Sequence, residues 1–356
     1  MTGTEDLISA LRERVAAAHE RSTPLAIRGG GTKAFLGHPV DGAFLDVSAL
    51  TGIVDYQPGE LVVTARAGTR LAELETVLAE QGQMLSFEPP HFGADATLGG
   101  TIATGLSGPR RPWGGAARDL VLGTRVINGR GELLHFGGDV MKNVAGYDVS
   151  RLMAGAYGTL GVLVSISLKV LPRPAAEATL VQQLDATTAI TRMNELAGKP
   201  WPLSGAYWET GELYLRLSGA ERAVDAARDA IGGDVDDDPD RWTRIRELQT
   251  PLTAGAEPLW RLSVPPAAPL ADLPGDQALD WGGAQRWLVS DADPATVRDT
   301  AEKAGGHATL FRGDHDARFH PLPDAMRKLH QRVKQSLDPA GILNPGRLYP
   351  WLDSAR

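Results

Sequence analysis

The sequence predicts an α+β protein in which a glycine-rich, two-lobed domain is followed by a smaller α/β domain built on an antiparallel sheet. Two glycine-rich stretches, residues 28–32 and 97–105, each lie beside an apolar run of strand type, which favours the first domain. Strand-like and helical segments then alternate in a compositionally different region, which favours the second domain. We expect the first domain to occupy residues 1–174.

Composition narrows the class of protein. The 356 residues suffice for two or three domains, and a net charge of −8 argues against non-specific binding to nucleic acid or anionic lipid. The chain has no cysteine, which excludes disulfides, thiolate metal sites and iron–sulfur ligation within it. No apolar run approaches the ~20 residues of a membrane span, and the polar, acidic N-terminus is unlike a secretory signal. We therefore expect a cytoplasmic protein.

The first lobe, at about residues 1–90, is predicted to be a small α/β unit. Apolar residues recur at helical spacing from residue 7 to residue 15, so a helix is expected to end before Pro24. Thr69 is the expected N-cap of a second helix that runs through Gln81. Strands are expected at Leu25–Ile27, Phe44–Val47 and Leu61–Ala65.

The second lobe, at about residues 93–174, holds most of the glycine enrichment. It contains 15 glycines between Gly99 and Gly161, yet it also carries strong strand signals, so disorder is excluded. Paired Asn-Gly and Arg-Gly residues at 128–131 predict a hairpin turn. The elements expected here are strands Leu122–Ile127 and Glu132–Phe136, a short helix Tyr147–Ala154 and a strand Thr159–Val170.

Residues 175–320 are predicted to form the second domain. Strand-like segments alternate with helical ones, so an antiparallel sheet with helices on one side is expected. The expected strands include Leu213–Leu217, Leu259–Val264 and Arg286–Val289, and the expected helices are Ala220–Ile231, Pro294–Ala304 and, after this domain, Leu322–Leu337.

The two glycine-rich stretches carry the chemistry of the first domain. Glycine has no Cβ, so backbone N–H groups can approach an anionic ligand closely. Two such stretches predict a bulky dinucleotide that is held from both sides.

A nicotinamide fold is the first alternative for that dinucleotide. Residues 29–34 satisfy the G-x-G-x-x-A fingerprint, and Asp46 follows Gly29 by 17 residues. That fold also requires a helix between the loop and the next strand. Gly37, Pro39 and Gly42 interrupt this interval, so the sequence excludes the nicotinamide reading.

Four segments in order resemble the FAD-binding fold of the vanillyl-alcohol-oxidase type, also called PCMH-type. Gly29–Thr32 matches the loop that cradles the pyrophosphate, and residues 97–103 match the second phosphate and isoalloxazine segment. Gly158–Val162 matches the strand at the adenosine end, and Asp338–Gly346 matches a terminal segment that returns toward the flavin. The resemblance implies that residues 321–356 return to the FAD domain and that residues 175–320 are a reduced cap.

More narrowly, the chain resembles the FAD-binding subunits of bacterial glycolate oxidase, which are related to D-2-hydroxy-acid dehydrogenases. The supporting segments are Ile27–Lys33, Val140–Asp148 and Gly305–Thr309. The resemblance implies a subunit of a heteromeric complex that oxidises glycolate to glyoxylate. Its implied partners are a larger FAD-containing catalytic subunit and an iron–sulfur subunit that takes the electrons.

The resemblance also implies non-covalent FAD, because Thr32 stands in the region where relatives carry a histidine for covalent attachment. Lys33 could assist the pyrophosphate or be a solvated surface lysine, and both readings stay open. The expected FAD-binding residues are Arg28, Gly29, Gly30, Gly31, Thr32, Lys33, Pro89, Thr97, Leu98, Gly99, Gly100, Ala103, Thr104, Ser107, Gly108, Gly158, Gly161, Val162 and Asn344.

The chain departs from the family in the cap, where it lacks the His-x-Gly-Asp-Gly-Asn-x-His metal and substrate motif. The nearest stretch is residues 313–320, for which no metal is expected. Tyr157 replaces the usual Glu before Gly-Thr-Leu-Gly, and residues 105–108 replace the usual Asn-Ala-Ser-Gly. No catalytic base can be named, although Arg110, Arg111 and Arg118 could hold an anion.

Three functions follow for comparison. The leading one is the FAD-binding subunit of a heteromeric glycolate oxidase or dehydrogenase. Any contact of this subunit with the inner membrane would be made through its partners. The second is a stand-alone D-2-hydroxy-acid dehydrogenase that uses a site around His307, His315 and His320. The third is a structural subunit that keeps the fold and has lost FAD.

Overall fold

The first ninety residues build a small parallel sheet and one end of a larger sheet. The structure is a computed structural model that describes residues 2–138, 148–314 and 318–353. Its first elements are α1 (Thr2–Arg21), β1 (Leu25–Arg28), β2 (Ala43–Asp46), β3 (Ile53–Gln57), β4 (Val62–Arg66), α2 (Leu71–Glu80) and β5 (Gln83–Met84). Strands β1 and β2 pair in parallel, and the 29–42 segment between them contains turns and no helix. The argument against a nicotinamide fold is thereby confirmed.

The predicted N-cap of α2 is wrong. Arg70 occupies that position with extended backbone, and its side chain makes no capping hydrogen bond. The Thr69 hydroxyl instead accepts from the Gly52 N–H at 3.0 Å and donates to the Gly52 carbonyl at 3.2 Å. The Thr69 side chain therefore makes a tertiary contact with Gly52 and does not cap the helix.

The next segment completes the larger sheet. Its elements are α3 (Leu98–Thr104), α4 (Arg111–Gly114), α5 (Ala117–Leu120), β6 (Val121–Ile127), β7 (Leu133–Gly137), α6 (Val149–Leu152), β8 (Val162–Lys169) and β9 (Leu171–Pro172). In the described part of the chain the strand order is β3-β4-β8-β6-β7, with antiparallel neighbours. The two predicted lobes therefore share one sheet, joined where β4 pairs with β8.

Local predictions in this segment have mixed outcomes. The hairpin is confirmed, since Ile127 pairs with Leu133 across the turn. The predicted short helix is reduced to α6, and Tyr147, like residues 140–146, lies outside the described residues. The strand expected from Thr159 begins at Val162, because the Thr159 hydroxyl bonds back to the Ala156 carbonyl in a turn.

The cap confirms the predicted antiparallel sheet. It comprises β10 (Ala176–Gln183), α7 (Ala186–Ala197), β11 (Leu203–Glu209), β12 (Glu212–Gly219), α8 (Glu221–Ile231), β13 (Asp234–Val235), α9 (Arg241–Arg246), β14 (Leu259–Ser263), β15 (Asp276–Asp280), β16 (Gln285–Val289), α10 (Pro294–Lys303) and β17 (His307–Arg312). Over the described residues the strand order is β13-β10-β12-β11-β15-β16-β14-β17.

The two faces of the cap sheet have different partners. Helices α7, α8 and α10 bury their apolar sides against one face, as predicted. On the other face Trp287 and Phe311 pack with α9 and with apolar residues of the lobes, among them Leu36 and Leu106. Helix α9 is the exception to the prediction that helices cover one side. The cap therefore meets the lobes through the open face of its sheet.

The last helix ties the chain back to its beginning. Helix α11 (Asp324–Leu337) starts two residues later than expected and carries Lys334, which is 2% exposed. The Lys334 ammonium lies 2.7 Å from Asp338 and donates to the carbonyls of Thr159 and Leu343. Leu343 in turn forms a parallel bridge with Leu25. The segment after the cap thus packs on the first domain.

None of the described helices has the length and apolar character needed to span a membrane.

Candidate functional site

A cavity of about 320 Å³ lies where the two glycine-rich stretches meet. Strand β1 and its loop form one wall, and α3 and the turn before β8 form the other. The predicted residues that line it are Arg28, Gly29, Gly30, Gly31, Thr32, Lys33, Thr97, Gly99, Gly100, Ala103, Thr104, Gly158, Gly161 and Asn344. Sequence positions separated by more than three hundred residues therefore share one wall.

The first glycine loop touches the second stretch directly. A Cβ on Gly30 would lie 1.5 Å from the Asp95 carbonyl oxygen, and one on Gly29 would lie 2.7 Å from the Thr97 hydroxyl. Gly31 has a φ of +74°, which L side chains rarely adopt. Close contacts with neighbouring segments at Gly29 and Gly30, and the backbone conformation at Gly31, thus account for glycine at these positions.

The second stretch begins a helix, which the sequence patterns did not predict. The Thr97 hydroxyl caps α3 by accepting from the Gly100 N–H at 3.2 Å. The Gly99 N–H donates to the Ala67 carbonyl at 2.7 Å, and a Cβ there would lie 2.8 Å from the Ala67 Cβ. Close packing of the helix on Ala67, the residue after β4, explains why glycine is needed at Gly99.

The Asn344 side chain links two parts of the cavity wall through hydrogen bonds. Its carbonyl oxygen accepts from the Ile27 N–H at 2.7 Å, and its amide donates to the Tyr157 carbonyl at 2.7 Å. A Cβ on Gly158 would lie 2.7 Å from that same amide nitrogen. One side chain therefore fixes the distance between β1 and the turn that precedes β8.

Lys33 is buried in the cavity wall, so the surface-lysine reading is wrong. It is 6% exposed, and its ammonium donates to the His91 carbonyl at 3.2 Å. Burial lowers the pKa of Lys33 to about 8, although the nearby Glu247 carboxylate acts in the opposite direction. At neutral pH the side chain keeps most of its positive charge in the wall.

Five predicted residues do not line this cavity. Leu98 and Val162 are fully buried in the hydrophobic cores, because helix and strand geometry turn their side chains away from the wall. Pro89 is also buried. The Ser107 hydroxyl accepts from the Ala117 N–H at 3.0 Å, and the Gly108 carbonyl accepts from the indole of Trp281 at 2.9 Å. Ser107 and Gly108 thus organise the lobe and its contact with the cap.

Sequence reasoning did not assign ten residues of the wall to the site, and two of these, Tyr157 and Arg347, have polar side chains. Arg347 is held by the carbonyls of His38 at 2.9 Å and Ala34 at 3.0 Å. Burial raises the pKa of Tyr157, so its phenol stays protonated at neutral pH. Tyr157 adjoins Gly158 and Arg347 follows Gly346, so proximity to a glycine motif was the available signal.

The three candidate anion-binding arginines prove to differ. Arg110 is neutralised by Glu88 at 3.0 Å and Glu177 at 2.7 Å. The Arg118 side chain is 68% exposed and lies 3.7 Å from Asp119. The Arg111 guanidinium stacks 4.3 Å above the Trp281 ring and has no hydrogen bond or ion pair to any residue that the structure describes.

The proposed histidine site is not assembled by the described residues. The rings of His307 and His320 are 6.2 Å apart, while His315 lies outside the described residues. Burial lowers the pKa of both His307 and His320, which keeps them neutral at pH 7. Within residues 2–138, 148–314 and 318–353, no three side chains of His, Cys, Asp or Glu are grouped as metal ligands would be.

The cavity wall has the properties that an anionic dinucleotide requires. Backbone segments without Cβ atoms line both sides, and Lys33 adds a buried positive charge. No carboxylate is among the described residues of the wall, so nothing there repels a pyrophosphate. Apolar side chains of Ile27, Val47 and Leu163 offer a surface for an aromatic ring.

Comparisons with known proteins agree with this chemistry. A family model described as an FAD binding domain matches residues 6–137. Glycolate oxidase subunit GlcE of Escherichia coli (strain K12) is 51% identical, covering 97% of this chain and 98% of that protein. Glycolate oxidase subunit GlcD of Bacillus subtilis (strain 168) is 32% identical over 46% of this chain and 35% of its own length. The structure of p-cresol methylhydroxylase with substrate bound superimposes with a TM-score of 0.71 at 16% identity, covering 96% of this chain and 88% of that one. This likeness confirms the predicted PCMH-type α+β fold.

Proposed function

The chain belongs to the family of glycolate oxidase subunit GlcE, and on this premise we propose that it is the FAD-binding subunit of a heteromeric glycolate oxidase or dehydrogenase. The observation that carries the proposal is 51% identity to that subunit over 97% of the chain. The glycine-lined cavity supports it independently, because its wall suits a dinucleotide.

In this proposal FAD is bound without a covalent link. Its pyrophosphate lies against the backbone of Gly29–Gly31 and of Gly99 and Gly100, with the Lys33 ammonium nearby. Bound there, FAD supplies a redox centre that takes up electrons from the oxidised substrate. The described wall contains neither histidine nor cysteine, and this supports a dissociable cofactor.

The proposed substrate is glycolate, which the complex oxidises to glyoxylate. The partners are a larger FAD-containing catalytic subunit and an iron–sulfur subunit that receives the electrons. A chain without cysteine needs another subunit to ligate an iron–sulfur cluster. We place the subunit in the cytoplasm, with any contact to the inner membrane made through its partners.

The test is to purify the chain alone and together with the products of neighbouring genes. Flavin absorbance measures cofactor content, and acid precipitation separates free from covalently attached flavin. Glycolate-dependent dye reduction then measures activity. We expect a yellow chain that releases its flavin in acid, is inactive alone and gains activity on co-purification with both partners.

Two other outcomes would replace the proposal. A yellow chain that reduces the dye with glycolate on its own would establish the stand-alone dehydrogenase. A colourless chain that still joins an active complex would establish the structural subunit.

A further inference from the structure

Arg261 carries a half-buried positive charge for which the described residues supply no ion pair. It lies at the centre of β14, paired with Trp287 on one side and Thr309 on the other. Its strand alternates, so Arg261 shares with Leu259 the sheet face that is turned toward the lobes. The guanidinium lies 5.8 Å from the centre of the Phe311 ring. Phe311 packs on Phe35, which follows the first glycine loop, at 5.7 Å.

The charge of Arg261 is not balanced. Its guanidinium has no hydrogen bond and no ion pair with any residue of the described ranges. Burial lowers the pKa of Arg261, which means that the protein around it disfavours the charged form. Partial burial of a charge without a partner costs folding free energy, and an anion from outside the chain would remove that cost.

The position of Arg261 indicates where that partner lies. Tyr157, which lines the glycine-lined cavity, packs on the apolar cluster that Leu259 and Phe311 form on the same face of the cap sheet as Arg261. Arg261 also acts electrostatically on the Tyr157 phenol. Arg347 acts on the same phenol, but its guanidinium is already used by backbone carbonyls. Arg261 therefore borders the end of the cavity that faces the cap.

A second arginine without an ion pair to the described residues lies where the second lobe meets the cap. Arg111 comes from the second lobe and stacks on Trp281 of the cap. Burial lowers the pKa of Arg111 most; Arg118 and, to a smaller extent, Arg261 lower it further, while Asp119 acts in the opposite direction. By contrast, Arg110 at the neighbouring position is fully ion-paired.

We propose that Arg261, assisted by the charge of Arg111, forms a binding site for a small carboxylate in the cleft between the cap sheet and the cap-facing end of the cavity. The site rests on the proposed function, because it would hold the carboxylate of a 2-hydroxy acid beside the cofactor. Arg261 is the contact residue, since a guanidinium binds a carboxylate through two parallel hydrogen bonds.

The test uses the full purified chain and oxalate, a small dicarboxylate that cannot undergo the same oxidation. Calorimetry measures oxalate binding, and flavin absorbance measures cofactor content in the same samples. The variants are Arg261→Met, Arg261→Lys and Arg111→Met, with the exposed Arg118→Met as the matched control. Thermal unfolding is recorded for each variant.

We expect Arg261→Met to weaken oxalate binding at least about tenfold, and Arg111→Met to weaken it less, whereas Arg118→Met stays within about twofold. Arg261→Lys should recover part of the affinity because it keeps the charge. The melting temperature of Arg261→Met should not fall, since the variant removes an unpaired charge. A merely structural role for Arg261 would lower it.

The proposal is overturned if oxalate does not bind the wild-type chain, or if Arg261→Met binds it as tightly as wild type. Calorimetry does not need the flavin, so the two proposals fail separately. A colourless chain that binds oxalate through Arg261 would refute the FAD-binding function and support the carboxylate site. A yellow chain that does not bind oxalate would support the FAD-binding function and refute the carboxylate site.

Discussion

The glycine-lined cavity and the contact between the lobes and the cap differ in which chemical groups form them. The cavity wall is mainly backbone, in which Gly30 leaves no room for a Cβ beside the Asp95 carbonyl. The contact, besides its apolar cluster, contains buried charged side chains: Glu88 lies 3.0 Å from Arg110 and 2.7 Å from Arg216.

This difference determines what each region tolerates. A wall made mainly of backbone is sensitive above all to size, because an added atom collides with the opposite wall. A buried ion cluster is sensitive to charge, because removal of one member leaves the others uncompensated. Burial alone would raise the pKa of Glu88, but Arg216 and Arg110 outweigh it and hold the pKa below its ordinary value. Substitutions in the two regions should therefore fail in different ways.

The largest effect is expected for Gly30→Ala, which adds one carbon to the wall. That carbon would lie 1.5 Å from the Asp95 carbonyl oxygen, so the loop must move and the shape of the cavity wall changes. We expect flavin affinity to fall by more than about a hundredfold. Flavin content after gel filtration measures it.

Gly59→Ala is the matched control, because a Cβ there meets nothing within 4 Å. It should keep its flavin. Equal flavin content in the two variants would contradict the account of a wall limited by size.

Glu88→Gln should break the other region without changing its size. The buried Arg110 and Arg216 would lose their shared carboxylate, at a cost of about 3–5 kcal/mol in the free energy of unfolding. Urea unfolding measures this change. Glu177→Gln is the control, because its side chain is 39% exposed and solvent screens the loss. A cost for Glu88→Gln no greater than the control's would show that the cluster does not hold the cap in place.

Asp280 makes the cap contact sensitive to pH. It is 3% exposed, and burial raises its pKa from the ordinary 3.8 to about 7. In the unfolded chain Asp280 loses its proton at lower pH than in the folded protein. The contribution of Asp280 to the free energy of unfolding therefore falls by about 2–4 kcal/mol as pH rises from about 4 to about 7. Above that range the contribution is constant.

We expect Asp280→Asn to remove that decline, which urea unfolding at a series of pH values would record. Asp276→Asn, an exposed change in the same strand, should keep the wild-type profile. A profile for Asp280→Asn that parallels wild type would disprove the assignment.

The smallest effect is expected for Lys33→Met, the one substitution in the cavity wall that tests charge. With a pKa of about 8, Lys33 loses its proton as pH rises through 8, and its attraction for an anionic cofactor is then lost. Wild-type affinity for FAD should fall about threefold to tenfold between pH 7 and pH 9.5. The affinity of Lys33→Met should be lower at pH 7 and flat over this range.

Flavin fluorescence titration gives these affinities, and the exposed Lys199→Met serves as the control. If Lys33→Met retained the wild-type pH dependence, the charge in the wall would be irrelevant to cofactor binding.

Sequence patterns predicted the features that depend on neighbouring residues. The hairpin at Asn128, the missing helix after Gly31 and the antiparallel cap sheet all follow from local turn and strand chemistry. The helix at Leu98–Thr104 was missed, since glycine and threonine are poor helix formers and its stability comes from the Thr97 cap and packing on Ala67.

Long-range geometry explains the remaining differences. Thr69 was assigned to a helix cap, but a contact with Gly52 claims its hydroxyl. Arg261 lies within Leu-Trp-Arg-Leu-Ser, where alternation gives its face but not what lies opposite. Arg110 and Arg111 are adjacent and chemically identical, and only the folded positions of Glu88 and Glu177 distinguish them.

The hydrogen bond between Ile27 and Asn344 also has a consequence for biosynthesis. The two residues are separated by 317 positions, so the ribosome makes the first glycine loop long before it makes the side chain that fastens it. At about 5–20 residues per second, the loop waits roughly 15–60 s for Asn344. The wall of the cavity is therefore complete only after Asn344 has been made, and we expect FAD to bind after translation of this segment.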